Sequence, residues 1–133
     1  MDKLIDLDIV SPQRLVFQGQ VKSVTAPGTL GSFQILNNHA PIVSTLEIGI
    51  LKVRTASDEE KIYAVGTGIL EAKFNKVNVL AEYIDSKEEI DIERERQTVS
   101  RAEELLRSDD ESIDKQEVKE TLNRSLNKIR ATE

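Results

Sequence analysis

The chain has 133 residues, a net charge of −6, one histidine and no cysteine. That composition excludes a disulfide framework, a thiol nucleophile, and thiolate or His-rich metal sites; the acidic balance argues against nucleic acid as the main partner. No apolar run approaches the ~20 residues needed to span a bilayer, and Met1 to Asp6 carries acids where a secretory or transit peptide is basic. A soluble, cytosol-facing protein without direct membrane insertion is expected.

Composition changes near Asp85. Residues 1–85 hold 8 basic and 10 acidic side chains and all the aromatics, Phe17, Phe33, Tyr63, Phe74 and Tyr83. Residues 86–133 hold 10 basic and 14 acidic side chains and no Gly, Pro or aromatic residue. Turn residues with aromatics point to a sheet, and dense charge without them points to exposed helices. The expected organisation is a β-sandwich over 1–86 followed by an α-helical hairpin over 87–133.

In chain order, Ile5, Leu7 and Ile9 alternate with Asp6 and Asp8, the period of a half-buried strand. A turn at Ser11-Pro12-Gln13-Arg14 leads to Leu15-Val16-Phe17, and a separate strand, Val21 to Thr25, follows Gly19. After the loop Ala26 to Gly31 comes Ser32 to Leu36, ending at Asn37-Asn38-His39-Ala40-Pro41. Ile48 to Thr55 and Lys61 to Val65 flank a hairpin loop at Ser57 to Glu60; Ile69 to Lys73 and Val77 to Tyr83 flank a tight turn at Asn75-Lys76. Eight to ten short strands at such spacing predict an antiparallel sandwich or flattened barrel.

Beyond Asp85, Ser86-Lys87-Glu88-Glu89 fits a capping box. The helix it opens carries Ile92, Val99, Ala102 and Leu106 on one stripe. Ser108 to Ser112 interrupts the pattern. Asp114 and Glu117 can cap a second helix, whose Val118, Leu122, Leu126 and Ile129 form another narrow stripe. Neither helix can bury its stripe alone, so the pair is expected to fold as an antiparallel hairpin, marginal in stability and able to rearrange.

Few residues invite a chemical reading. His39 lies in a turn with no nucleophile elbow nearby, so a structural role outweighs a hydrolase built on it. Gly66-Thr67-Gly68 precedes a strand rather than a helix and reads as a bulge or tight turn, not a phosphate loop. Asp58-Glu59-Glu60 and Asp109-Asp110-Glu111 lack the spacing of a calcium loop and read as solvated turns. Asp91 and Arg94 share a helical face, with Arg101 two turns on. Such a stripe suits either a polyphosphate or a network of surface ion pairs.

Taken together, these segments resemble the epsilon subunit of F-type ATP synthases. The resemblance rests on Leu7-Asp8-Ile9-Val10-Ser11-Pro12, on Asn38-His39-Ala40-Pro41 (similar to the family's Gly-His-Ala-Pro turn), and on Gly49-Ile50-Leu51-Lys52-Val53. It continues through Tyr63 to Glu71, through Val77-Asn78-Val79-Leu80-Ala81-Glu82 and into the charged tail. It implies a noncatalytic rotor subunit whose sandwich packs on the gamma subunit and touches the c-ring, coupling ion-driven rotation to ATP synthesis. The helical hairpin would be mobile and, when extended into the alpha/beta catalytic head, would inhibit ATP hydrolysis. The location implied is the cytoplasmic face of a bacterial cell membrane, or the stromal face of a thylakoid, as a peripheral subunit.

The resemblance also implies site residues. Some bacterial members bind ATP through an Ile/Leu-Asp-x-x-Arg-Ala motif; Ile90, Asp91 and Arg94 match it and Glu95 replaces the Ala. Arg101 and Arg124 stand where further basic contacts fall, Lys128 where some members have Arg, and Asp85 where they have Glu. ATP would be a regulatory ligand, with no cofactor required. Ser32, Asn38 and His39 would face gamma or the c-ring, although Ser32 replaces the family's usual acid and Asn37-Asn38 its Pro-Gly. Arg124, Lys128 and Arg130 would contact the beta subunits. Because the tail is net acidic, that contact must use a positive face rather than overall attraction. A free-standing ATP-responsive binding module is the alternative reading.

Overall fold

The computed structural model describes residues 3–133 as nine strands followed by two helices; the amino-terminal reading at Met1 and Asp2 lies outside the described residues. The strands are β1 (Ile5–Val10), β2 (Leu15–Gly28), β3 (Gly31–Ile35), β4 (Ile42–Leu46), β5 (Gly49–Thr55), β6 (Glu60–Val65), β7 (Gly68–Lys73), β8 (Lys76–Ala81) and β9 (Ile84–Ser86). A single 3₁₀ turn, Lys87–Glu89, leads to α1 (Ile92–Arg107) and α2 (Lys115–Ala131).

The sheet folds into two layers, β1-β8-β7-β4 and β2-β5-β6-β9, joined by β2. Alternation drives the sandwich: Ile5, Leu7 and Ile9 on β1, Leu51 and Val53 on β5, and Val77 and Val79 on β8 all point inward and are fully buried. Each such side chain contributes about 1.5–3 kcal/mol relative to exposure.

Three strand expectations are corrected. The stretch from Leu15 to Gly28 is one strand, not two, because Gly19 simply takes an extended place opposite Leu7. Farther along β2, a bulge between Val21 and Ser23 bends the strand, so that its first half pairs with β1 and its second with β5. β4 was not expected. Its alternation is blurred, since Val43 faces solvent at 65% exposure while only Leu46 is buried. Finally, β1 and β8 pair in parallel, so the sandwich is mostly rather than wholly antiparallel.

The turn between β7 and β8 also sits one residue earlier than expected, at Phe74-Asn75, both with positive φ (51° and 59°). That is the geometry of a two-residue primed turn, whose twist matches the flanking strands. Asn75 Oδ1 accepts from the Asn38 amide at 2.6 Å, and its Nδ2 donates to Asn38 Oδ1 at 3.2 Å, tying this turn to the loop after β3. Asn38 itself has φ 65°, the left-handed conformation that asparagine tolerates.

In the helical part the first helix starts later than its Ser86 signal suggests. The Ser86 hydroxyl bonds the Glu89 carboxylate at 2.9 Å but caps no backbone donor, and the chain is extended again at Ile90 and Asp91. Asp91 is the true cap, accepting from the Arg94 amide at 3.2 Å. Asp114 caps α2 as expected, accepting from the amides of Gln116 and Glu117. The interruption between the helices is held by Asp110, whose carboxylate takes both the Ser112 hydroxyl and amide and is pushed below the usual carboxylate range by them.

The apolar stripes are only partly used. On α1 only Ala102 is buried, with Ile92 36% exposed; on α2 the buried residues are Ser125, Asn127 and Ala131, while Leu126 stays 40% exposed. α2, rather than α1, lies against β5 and β6.

Tyr63 supplies a pH test of the core. Burial, reinforced by the charges of Glu88 and Glu89, pushes its hydroxyl up to about 12 from its ordinary value of 10.0. Between those values the unfolded chain ionises while the folded one does not, so stability falls as pH rises through that window. Urea unfolding is expected to show the fall above about pH 10 and to lose part of it in Tyr63→Phe.

Candidate functional site

α1 and α2 run antiparallel, and where the start of α1 meets the end of α2 a cavity of about 410 Å³ opens beside β9 and the 3₁₀ turn. Ile90, Asp91, Arg94 and Glu95 line it from one side, Arg124, Ser125 and Lys128 from the other, and Asp85 and Glu89 from the sandwich edge. Sequence spacing set Asp91 and Arg94 together; the antiparallel pairing adds Arg124 and Lys128.

Three of the four carboxylates accept hydrogen bonds, and Asp85 Oδ2, buried without one, has only an ion pair. Glu89 takes Arg14 at 2.8 Å, Asp91 caps α1, Glu95 Oε1 accepts from the buried Ser125 hydroxyl at 3.0 Å, and Asp85 Oδ2 lies 3.5 Å from Lys128 Nζ. Among the cations, Lys128 is paired and Arg124 stacks 4.3 Å over the Tyr83 ring. No described residue pairs with the Arg94 guanidinium, which leaves it available to a ligand. The cavity sets three cations from both helices, Arg94, Arg124 and Lys128, among four carboxylates, with an apolar wall at Ile90.

Arg101 is not part of this cavity. It lines a second, smaller groove of about 200 Å³ between the helices with Ala102, Leu105 and Val118. Arg130 also lies outside, exposed on α2.

Tyr83 is the residue that sequence reasoning missed. Its ring packs with Ala64 and Ala131. A Cβ on Gly66 would meet that ring at 2.7 Å, so glycine there makes the room; the expectation of a tight link around Gly66-Thr67-Gly68 acquires a cause. Asn127 Nδ2 reaches the Tyr83 hydroxyl at 3.2 Å, Gly49 O at 2.9 Å and Val65 O at 3.2 Å. Burial raises the Tyr83 hydroxyl above its ordinary value, offset in part by the Asn127 bond and the Arg124 charge. No periodicity marks a buried asparagine one residue from an exposed leucine.

The remaining candidates lie on the sandwich and are not gathered into one site. Ser32 is exposed next to the β2–β3 tip, where Leu30 is fully exposed; Asn38 and His39 sit at the other end of β3. His39 Nδ1 lies 2.7 Å from the Ala40 carbonyl, an acceptor, so Nδ1 carries the proton and no carboxylate orients the ring through it. Asp58 pairs with Lys22 at 2.8 Å, which lowers its pKa. Among the described residues no cluster of three or more His, Cys, Asp or Glu side chains is placed to hold a metal. A separate surface is the outer face of the β4-β7-β8 layer. There Val43, Ile69 and Leu80 are 65%, 41% and 49% exposed, and Ile69 is the register partner of both Thr45 and Leu80.

Comparison with known proteins places this geometry. Residues 4–86 match the family model for the ATP synthase delta/epsilon chain β-sandwich domain. The ATP synthase epsilon chain of Desulforamulus reducens is 37% identical over 133 residues, covering 100% of both chains.

The chain belongs to the ATP synthase epsilon-chain family.

The epsilon chain of Leptospira interrogans is 37% identical over 115 residues, 86% of this chain and 90% of that one. That of Pelotomaculum thermopropionicum is 43% identical over 105 residues, 79% and 78% of the two chains. A cryo-EM structure of the Euglena gracilis mitochondrial ATP synthase, OSCP/F1/c-ring, contains a chain of the same fold, with TM-score 0.83 and 21% identity over 98% of this chain and 82% of that one. The epsilon-family sandwich with two carboxy-terminal helices is therefore the architecture of this chain, and no described helix is long and apolar enough to cross a membrane.

The capping role of Asp91 is separable from any ligand role. Asp91→Ala is expected to lower stability by about 1 kcal/mol and Asp91→Asn by much less, because the amide oxygen can still accept from Arg94 N. Thermal melts by circular dichroism check this.

Proposed function

We propose that this chain is the central-stalk subunit that couples ion-driven rotation of a c-ring to ATP synthesis, and that its helical pair is a mobile arm restraining ATP hydrolysis. The observation that carries the reading is the division of surfaces. A stiff sandwich offers an exposed apolar face, Val43, Ile69 and Leu80, on the layer opposite the one against which α2 rests. Gamma, the rotor shaft of the complex, would cover that face. The tip carrying Leu30 and Ser32 would meet the polar loops of the c-ring, and the arm would reach the alpha/beta head. Chains of similar fold belong to the OSCP/F1/c-ring assembly of the Euglena gracilis mitochondrial ATP synthase and to the central stalk/c-ring of the Tetrahymena thermophila one, which supports the same partners. The bacterial relatives support a peripheral position on the cytoplasmic face of the cell membrane.

Arg130 is free to meet a beta subunit as it stands, whereas Arg124 and Lys128 are held by Tyr83 and Asp85 while the arm is docked. Replacing Arg124, Lys128 and Arg130 with Ala therefore acts on both positions of the arm, and deleting residues 109–133 is the cleaner test. The deletion is expected to raise hydrolysis by a reconstituted catalytic head several-fold while gamma still co-purifies. Val43→Asp with Leu80→Asp is expected to abolish that co-purification. Unchanged hydrolysis in the first case, or retained gamma binding in the second, rules out the corresponding half of the proposal.

The cavity between the helices favours a second role in the same subunit: regulatory binding of ATP in the docked state. Arg94, Arg124 and Lys128 supply charge for phosphates and Ile90 an apolar contact for the base. Glu95 and its three fellow carboxylates oppose a free triphosphate, so the affinity expected is modest. Calorimetry with ATP should give binding that weakens at least ten-fold in Arg94→Ala; equal affinity for the variant, or no heat with the wild type, excludes it. ATP binding by a chain that fails to bind gamma would favour the free-standing module instead.

A further inference from the structure

We infer that Asn127 is a release clasp, a single carboxamide that fixes the register at which α2 docks on the sandwich and sets how often the helix lets go. The inference rests on the mobile arm proposed above and names the contact that governs it.

Apart from the Lys128–Asp85 ion pair at 3.5 Å and the Arg124 stack on Tyr83, both made by long, flexible side chains, the junction between α2 and the sandwich is smooth. Ala131, Ala64 and Tyr83 are its buried apolar members, with Ile50, Ile62 and Ile90 at its margin. Small and branched side chains of this kind make a surface along which a helix can settle at more than one position, because apolar contact is not directional. Asn127 removes that freedom. It is 2% exposed, and its Nδ2 group finds Gly49 O, Val65 O and the Tyr83 hydroxyl together. The two carbonyls accept only, so the amide nitrogen must face them. A shift of one residue along or around the helix would leave all three without this donor.

The same orientation limits how firmly the clasp holds. With Nδ2 facing the sandwich, Asn127 Oδ1 is buried and accepts no hydrogen bond from any described group. A buried acceptor without a donor is costly, and that cost is relieved when the helix lifts and water reaches it. One end of the carboxamide thus holds α2 in place while the other favours departure, which keeps the docked state specific without making it permanent. Arg124, one turn earlier, stacks on the same Tyr83 ring and also lines the cavity. α1 leaves with α2, since its packing is with α2 rather than with the strands.

Hydrogen exchange by mass spectrometry on the full chain tests this, comparing wild type, Asn127→Ala and Tyr83→Phe. In the wild type, α2 is expected to exchange faster than β1 and β8. Asn127→Ala should accelerate α2 at least ten-fold and leave β1 and β8 unchanged. Tyr83→Phe, which keeps the ring and the Arg124 stack, should accelerate α2 by a smaller factor of about three. If α2 exchanges separately from the sandwich but at the same rate in Asn127→Ala, the clasp is wrong and the mobile arm stands. If Asn127→Ala speeds β1 and β8 as much as α2, Asn127 is a general structural residue and the clasp is wrong. If wild-type α2 exchanges only together with β1 and β8, arm and clasp both fail.

Discussion

Tyr83, in the link between β8 and β9, is the side chain on which several of the contacts joining α2 to the sandwich converge. Gly66 lacks a side chain where the ring lies, Arg124 covers the ring, Asn127 meets the hydroxyl, and Ala131 and Ala64 fill the space beside it. Each contact is of a different kind: close approach, cation–π attraction, hydrogen bonding and apolar burial. A stack of this sort contributes about 0.5–1 kcal/mol at a partly exposed site, and a lone hydrogen bond about as much. The helices depend on their sum, because α1 buries only Ala102 and offers nothing of its own to the sandwich.

From that dependence follows the unequal character of the two halves. The sandwich is held by a continuous core from Ile5 to Ile84, closed by strands pairing around β2. The helical half is held by a small contact and by local devices: two aspartate caps, the Asp110–Ser112 turn and the Glu95–Ser125 bond. On the proposed reading these devices would help the helices keep their shape off the sandwich, and a gap of a few kcal/mol between docked and released positions would be enough for a ligand or a partner to tip. Charge serves the same end. Dense acidic and basic side chains keep the exposed helical faces solvated, and of the large apolar side chains on the two helices only Ile92 and Leu126 count among the exposed ones of the described residues.

Much of this was legible in the residues alone. The alternation at Ile5, Leu7 and Ile9 and the loss of Gly and Pro beyond Asp85 announced a sheet followed by helices. Asp91 and Arg94 were paired by helical spacing, and they do share a cavity wall. What escaped has physical reasons. β4 pairs through its backbone while pointing Val43 outward, so its pattern carries no inward stripe. Ser86 and Glu89 have the chemistry of a cap but satisfy each other instead of the backbone. Arg101 lies on the α1 face near Arg94, but the course of α2 sends it into the second groove. Ser125, Asn127 and Tyr83 are matters of tertiary placement. A buried polar side chain such as Asn127 is recognised by its acceptors, and those come from β5, β6 and the link between β8 and β9.

The parallel pairing of β1 with β8 has a consequence for how the chain is made. Ile9 lies beside Val79, so β1, made well before β8, must wait for it before its second edge is covered. Contacts between such distant segments are slow to form because the intervening loop must close first. The helices emerge later still, and Tyr83, the ring they need, follows β8 immediately. Biosynthetic order therefore delivers the arm to a platform already completed, and a nascent polypeptide stalled before β8 would have neither.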